Sequence, residues 1–351
     1  MIRGCFFSRF SWGSFLAVCA LVVTHIAGDT DCAVVTSLGD RRNDTTRLRV
    51  VQYNAEWLFM DYCSASHCPG SGCTWANQTE AATHLTRVAQ VIRDVNPDIV
   101  NLCEVEGCDE LALLADQLDG SYASYMVRGT DASTGQNVGM LTRIDPTVNI
   151  YRTEQRYEYP IANSSCGYTG VPSTSGVSKH YITEFQFAQY RVAFVSAHLI
   201  AIPTDPSRCA QREAQASVLQ TVLYDYINRD YEVVLLGDFN DYDGDVADVN
   251  GHQPTSTVLD ILKGIKGEKS GKYALFSVAE EIVQSQRYSD WWDSDGNCQT
   301  ASLADYSMID HILVTDALRK NIANAFVYHG YDEYCGKYDS DHYPVVVDLV
   351  M

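Results

Sequence analysis

A layered α/β fold, with β-sheets covered by helices, is what this sequence predicts. Three observations point there: short apolar runs rich in β-branched residues, two longer stretches with helical periodicity, and polar residues stationed where several apolar runs end. The strand-like runs, in chain order, are Leu48–Gln52, Asp98–Leu102, Val138–Leu141, Val192–Ala197, Val233–Leu236, Ile309–Val314 and Val345–Leu349. Runs apolar at successive positions indicate strands covered on both faces. Between them, 79–95 carries apolar residues at 82, 85, 88, 91 and 92, one face of an amphipathic helix. The stretch from Cys209 to Ile227 repeats the pattern with Ala214, Val218, Val222 and Leu223. No internal repeat, low-complexity tract or Pro/Gly-rich linker divides the chain, so one large domain is expected.

The first 28 residues read as a targeting segment. Arg3 and Arg9 precede the apolar run Phe15–Ala27, which is short for a bilayer span, and Gly28 stands just before the first acid, Asp29. A cleaved signal peptide over 1–28 is therefore expected. No second long apolar run and no lipid-anchor pattern appears, so a secreted protein without a membrane anchor, and a monomer, is the expectation. Removing the segment takes away Arg3 and Arg9 and no acid, moving the formal charge from −20 to −22. Bulk electrostatics of that sign disfavour a stable complex with nucleic acid, although a bound metal can reverse the sign locally.

Of twelve cysteines, Cys5 and Cys19 fall in the targeting segment. The ten that remain allow up to five disulfides of unreadable pairing. Cys63, Cys68 and Cys73 lack the spacing of a zinc knuckle. Sequons at Asn43, Asn77 and Asn163 fit the same oxidising compartment.

The chemistry lies at the strand ends. Asn54 follows VVQY, Glu104 follows IVNLC, His198 follows AFVSA, and Asp238 and Asn240 follow VVLLG. Asp310 sits in MIDHILV, and Asp341-His342 precedes YPVVV. Layered α/β folds gather their sites at such ends, because loops there present side chains from a rigid base. The residue types suit hydrolysis of a phosphoester, where charge must be neutralised and water activated. Glu104 is a hard oxygen ligand for Mg²⁺. His342 is placed to accept a proton, and Asn240 to donate a hydrogen bond to a phosphate oxygen.

In order, VVQYNAEWL, PDIVNLCEVEG, VSAHL, LLGDFND, MIDHIL and SDHYPV resemble the endonuclease/exonuclease/phosphatase superfamily, whose fold is that of pancreatic deoxyribonuclease. The resemblance runs from Asn54 to about Val347. It implies a four-layer α/β sandwich, two packed β-sheets flanked by helices, with residues 29–46 an N-terminal extension and 47–351 the catalytic domain. It makes Glu104 the principal ligand of Mg²⁺ or Mn²⁺, assisted by Asn54 and Asp341. It gives Asp238 and Asn240 the nucleophile or the phosphate, has Asp310 orient His342, and sets His198 against the scissile phosphate. The chain departs from the pattern at Cys103, where Gln is usual, and at Met308, where Arg is frequent. No Tyr or Glu near Val138-Gly139 partners His198, which leaves Gln136 or Asn137.

Three weaker features complete the reading. Asp241, Asp243, Asp245 and Asp248 form a cluster for Ca²⁺ or simply a solvated acidic loop. Arg287 and Trp291, in RYSDWWD, and Lys179 are candidate substrate contacts, against the plain alternatives of packing and surface exposure. Taken together, the residues describe a secreted, metal-dependent phosphodiesterase acting on a phosphoester, with nucleic acid as the leading substrate. A phosphatase or phospholipase-type hydrolase of a phosphoinositide or sphingomyelin is the alternative. An inactive binding protein on the same scaffold is the third reading.

Overall fold

The structure, a computed structural model, describes residues 31–60, 74–293, 303–331 and 338–351. Fifteen strands are found among them: β1 (Arg47–Leu58), β2 (Ile99–Val105), β3 (Ala123–Met126), β4 (Asn137–Thr142), β5 (Tyr157–Tyr159), β6 (Ser173–Ser175), β7 (Lys179–Phe187), β8 (Tyr190–His198), β9 (Glu232–Asp238), β10 (Phe276–Ser277), β11 (Asp290–Trp291), β12 (Tyr306–Ser307), β13 (Asp310–Val314), β14 (Ile322–Val327) and β15 (Val345–Val350). The helices are α1 (Gln78–Val95), α2 (Cys108–Asp116), α3 (Pro206–Ile227), α4 (Val258–Leu262) and α5 (Asp316–Arg319). One sheet has the order β14-β15-β1-β2-β4-β3, the other β10-β13-β9-β8-β7. β1–β2 and β8–β9 are parallel pairs, and the remaining pairs in both sheets are antiparallel.

Strand alternation sorts side chains into three cores. Leu48 and Val50 of β1, Ile99 of β2, Phe194 of β8, Val234 and Leu236 of β9 and Ile312 of β13 fill the space between the sheets. Val51 and Tyr53 face outward onto Leu85, Val88 and Ile92 of α1 and Leu111 of α2. Val195 and Leu235 face outward onto Leu219 and Val222 of α3. The result is helix, sheet, sheet, helix: the four layers expected.

The helix ends follow their local chemistry. Asn77 caps α1 by accepting from the Thr79 and Glu80 amides, and Asn96 ends it in the left-handed conformation. Pro206 opens α3 behind the capping Asp205.

The inter-sheet layer changes character along its length. Continuing the inward parity, Leu48 and Val50 lead to Gln52 and Asn54, Ile99 leads to Asn101 and Cys103, Phe194 to Ser196 and His198, and Leu236 to Asp238. One end is an apolar core; the other is a buried polar end.

Two bulges mark that end. The β1–β2 register shifts between Asn54 and Leu58, where Glu56 (φ 45°) and Trp57 (φ 50°) lie. The β2–β4 register shifts between Cys103 and Val105, where Glu104 has φ 63°. By parity alone Glu104 belongs with the outward-facing Leu102; the bulge re-aims it into the polar end.

Residues 31–46 lie along the domain rather than away from it. Arg41 holds Asp145 in a two-pronged ion pair, Ile150 donates to the Ala33 carbonyl, and a Cys32–Cys108 disulfide joins the segment to α2. A second disulfide, Cys166–Cys209, anchors the start of α3. Cys103 is a free, buried thiol, which corrects the expectation of up to five disulfides among ten cysteines. Cys63, Cys68, Cys73, Cys298 and Cys335 lie outside the described residues.

Candidate active site

Sheet register assembles the site. Lys179 pairs with His198, His198 with Asp238, and Asp238 with Asp310, so four adjacent strands contribute one row of ionisable groups. From the opposite sheet, Asn54 bridges toward them. Its amide donates to Asp238 Oδ2 at 3.0 Å and Glu104 Oε1 at 3.3 Å, and lies 3.4 Å from His342 Nε2. The hairpin-like turn at 340–342 closes the end: Ser340 donates to the Asn54 carbonyl and accepts from the His342 amide. The structure thus brings Asn54, Glu104, His198, Asp238, Asn240, Asp310, Asp341 and His342 to the same end of the sandwich.

Asp310 is fully buried and triply held. Oδ1 accepts from Gln52 Nε2 at 2.9 Å; Oδ2 accepts from Ser289 Oγ at 2.9 Å and lies 2.7 Å from His342 Nδ1. The chain of bonds continues backward, from Asn101 to Gln52 Oε1 and from Ser196 Oγ to Asn101 Oδ1 at 2.6 Å. Burial alone lowers the His342 imidazole, but Asp310, Asp341 and Asp290 carry it well above its ordinary value. Asp238 is pushed up to about 7, first by burial and then by the charge of Asp310. Its Oδ1 accepts the Asn240 amide at 2.9 Å, while Asn240 Nδ2 donates to the Leu199 carbonyl. His198 Nε2 lies 3.5 Å from Asp238 Oδ2, and burial, with Lys179 and His342 nearby, lowers it well below its ordinary value. Asp238 is therefore the partner of His198 that sequence reasoning sought elsewhere. Gln136 instead accepts from Lys179, and Asn137 from the Gly129 amide.

Reading the chain by strands missed several members. Glu56 accepts from the Asp341 amide and from Thr74 Oγ1 at 2.7 Å. Asp290 lies 3.6 Å from His342 Nε2 and is raised to about 6 by burial. The signals were in the sequence: Glu56 stands two residues beyond Asn54, and Gln52 and Asn101 are polar letters inside apolar runs.

The fold gives each candidate substrate contact a structural partner. Arg287 donates to the Ile282 and Ala247 carbonyls, fastening two loops together. Trp291 packs in the inter-sheet core at 5% exposure, while its neighbour Trp292 is 68% exposed. Lys179 is a buried rather than a surface lysine, 3.7 Å from Asp131 and next to His198. The acidic residues of 241–248 are engaged by neighbouring side chains. Asp241 holds Arg212 and Ser256, Asp243 and Asp245 share Lys263, and Asp248 holds His252.

The donor set nonetheless fits a hard divalent cation elsewhere. Burial, then the like charges of Glu56 and Glu104, hold Asp341 well above the carboxylate range, and its Oδ1 is buried without a partner. Asp238, Asp310 and His342 also lie close enough to share an ion, yet their lone pairs are engaged with one another and with Gln52, Ser289 and Asn240. Glu104, Glu56, Asp341 and Asn54 offer a second set of oxygens, of which those of Glu104, Glu56 and Asn54 also accept hydrogen bonds.

The sequence matches the model of the Endonuclease/Exonuclease/phosphatase family over residues 51–342. The chain belongs to that family. It is accordingly a metal-dependent phosphoester hydrolase. Among solved structures it is similar to Caenorhabditis elegans TDP2, with TM-score 0.51, 16% identity, and coverage of 87% of this chain and 74% of the other. A truncated form of the same worm protein gives TM-score 0.50 and 18% identity, covering 87% and 98%. A D. rerio TDP2 humanized by 14 mutations gives TM-score 0.50 and 15% identity, covering 86% and 98%. These likenesses concern the fold. No curated protein matches the chain.

Proposed function

We propose that this family member is a secreted phosphodiesterase, with Asp238 as the base and the Asp310–His342 pair as a charged hydrogen-bond donor. The observation that carries this reading is the convergence of strand-end groups from both sheets on Asn54. A water passes its proton to Asp238 and its oxygen to phosphorus; the ester P–O bond breaks on the opposite side, and the leaving oxygen takes a proton from solvent to depart as the alcohol. Asp238, poised near neutrality, suits proton transfer at physiological pH. His342, held protonated by Asp310, donates to a phosphate oxygen, a role that replaces proton acceptance as first assigned to it. His198, kept neutral, steadies Asp238. Glu104, Glu56, Asp341 and Asn54 would hold Mg²⁺ or Mn²⁺, which supplies Lewis-acid stabilisation of charge on the phosphoryl oxygens.

Nucleic acid is the leading substrate; a small phosphoester is the second reading, favoured by a formal charge of −20, which disfavours a long polyanion. The test is turnover of DNA, RNA, nucleotides, phosphoinositides and sphingomyelin, with and without chelator. His342→Ala and Asp238→Ala should each lose about 10²-fold or more in kcat while remaining folded; retained turnover overturns the roles. Absence of any metal-dependent turnover would favour an inactive scaffold.

Secretion rests on the signal-like 1–28, the two disulfides and the exposure of Asn43, Asn77 and Asn163. Among the described residues no helix is long and apolar enough to cross a membrane. An N-terminus at Asp29 in secreted material checks the cleavage.

A further inference from the structure

A polar cavity of about 260 Å³ lies beside the start of β7 and α3, lined among others by Thr130, Arg152, Arg156, Thr174, Ser178 and Ile200. Two of its lining residues are chain neighbours of the row of ionisable groups: Ser178 directly precedes Lys179, which pairs with His198, and Ile200 follows His198 by two residues. Whole-ligand pockets are typically about 300–1,000 Å³, so this volume suits one group of a larger molecule.

Its charge is unusual for this chain, which has 45 acidic residues against 25 Lys and Arg. Arg152 is deep in the wall, with 11% of its side chain exposed. It donates through Nη2 to Thr130 Oγ1 and the Val177 carbonyl, while its Nε is buried without a partner. Arg156 donates through Nε and Nη2 to Thr174. Among the described residues the one acid in the lining is Glu154, whose carboxylate sits on Arg152 Nη1 at 2.6 Å yet is 77% exposed. An exposed ion pair of that kind is weak and readily exchanged. Planar guanidinium groups with spare N–H donors match a phosphate's geometry better than any other side chain.

We infer that this cavity is a subsite for a second phosphate group on the substrate, with Arg152 and Arg156 as its ligands and Glu154 as the carboxylate it displaces. The inference rests on the proposed function, diester or small phosphoester, for the first phosphate, and it makes the preferred substrate one bearing two phosphates.

Two matched pairs test it: TpT against pTpT, and glucose 1-phosphate against glucose 1,6-bisphosphate. The wild type should favour the two-phosphate member of the pair it hydrolyses by about tenfold in kcat/KM, mainly through KM. The pair that responds identifies a nucleotide or a sugar source. Arg152→Gln with Arg156→Gln should collapse that ratio to about one, and Glu154→Gln should raise it. Should the double variant fail to fold, Arg156→Gln alone, at an exposed position, should lower the ratio several-fold. Independently of turnover, inorganic phosphate added in the presence of EDTA should shift the Arg152 Nε–H resonance. A wild-type ratio near one in a hydrolysed pair, or a ratio that survives the arginine substitutions, overturns the subsite and leaves the proposed function standing. If no phosphoester is hydrolysed, that function fails, and the Arg152 resonance decides the subsite alone: a shift supports it and an unmoved resonance overturns it.

Discussion

Replacing Gln52 by Leu tests whether the buried polar chain holds the active site in place. Gln52 is fully buried; its amide nitrogen is 2.9 Å from Asp310 Oδ1, and its oxygen accepts from Asn101. Leu keeps roughly the same volume but removes both bonds. A hydrogen bond to a charged acceptor contributes about 1.5–3 kcal/mol, and a stranded buried donor on Asn101 costs about 1–3 kcal/mol. The single substitution should therefore cost about 2.5–6 kcal/mol, a large part of the roughly 5–15 kcal/mol that stabilises a typical domain. Adding Asn101→Leu removes the stranded donor as well, so the double variant should be more stable than the sum of singles by about 0.5–3 kcal/mol. Ser196 Oγ, which donates to Asn101, should then govern the residual loss. Urea denaturation of the four proteins, with chelator throughout, reads these numbers. In parallel, NMR titration of His342 should shift, because Asp310 loses a donor. A Gln52→Leu protein within about 0.5 kcal/mol of wild type, with an unmoved His342 titration, would refute the role given to the chain.

Three further outcomes are expected. The rise in melting temperature given by Mg²⁺ should grow from pH 5 to pH 8: the raised folded-state carboxyl of Asp341 holds a proton that competes with the ion, and Asp238, pushed up to about 7 and joined to Glu104 through Asn54, adds its negative charge to the site only as it ionises. A pH-independent increment would place the ion away from these groups. Cys103, whose thiol is pushed up to about 12 by burial and then by Asp238, should resist iodoacetamide at pH 8 in the native protein and react after unfolding; native labelling contradicts its burial. Lys263→Met should destabilise by about 3–5 kcal/mol, since it leaves buried Asp243 without its cation, 2.7 Å away in the native fold; a neutral effect would return the acidic loop to the solvated reading.

Much of the site was legible because strand ends in the sandwich are written as a change of letter. VVLLG followed by Asp238, and AFVSA followed by His198, announce both the strand and its functional terminus. β7 was harder to read, because Lys179, His180, Thr183, Glu184 and Gln186 interrupt its apolar pattern. Lys179 and His180 are buried by neighbours distant in sequence rather than by local propensity. Glu104 was identified by its place after IVNLC, but its aim depends on a bulge with φ 63°, which no periodicity encodes. Arg287 and Trp291 show the opposite case. Residue type suggested substrate, while backbone carbonyls and the inter-sheet core had already claimed both side chains.

Gly237 bears on how the GDFN motif records ancestry. Its φ is 158°, and a Cβ built there would stand 1.8 Å from the Ala197 carbonyl oxygen, where β8 and β9 run side by side. That glycine answers to the joint between two strands, whereas Asp238 and Asn240 answer, under the proposed function, to the reaction. The two demands relax separately. A descendant that abandoned hydrolysis would be free to change the acid and the amide while the glycine stayed fixed for as long as the sandwich stood. Among such sequences the first letter of the motif marks shared architecture, and only the second and fourth letters report whether the chemistry is still under selection.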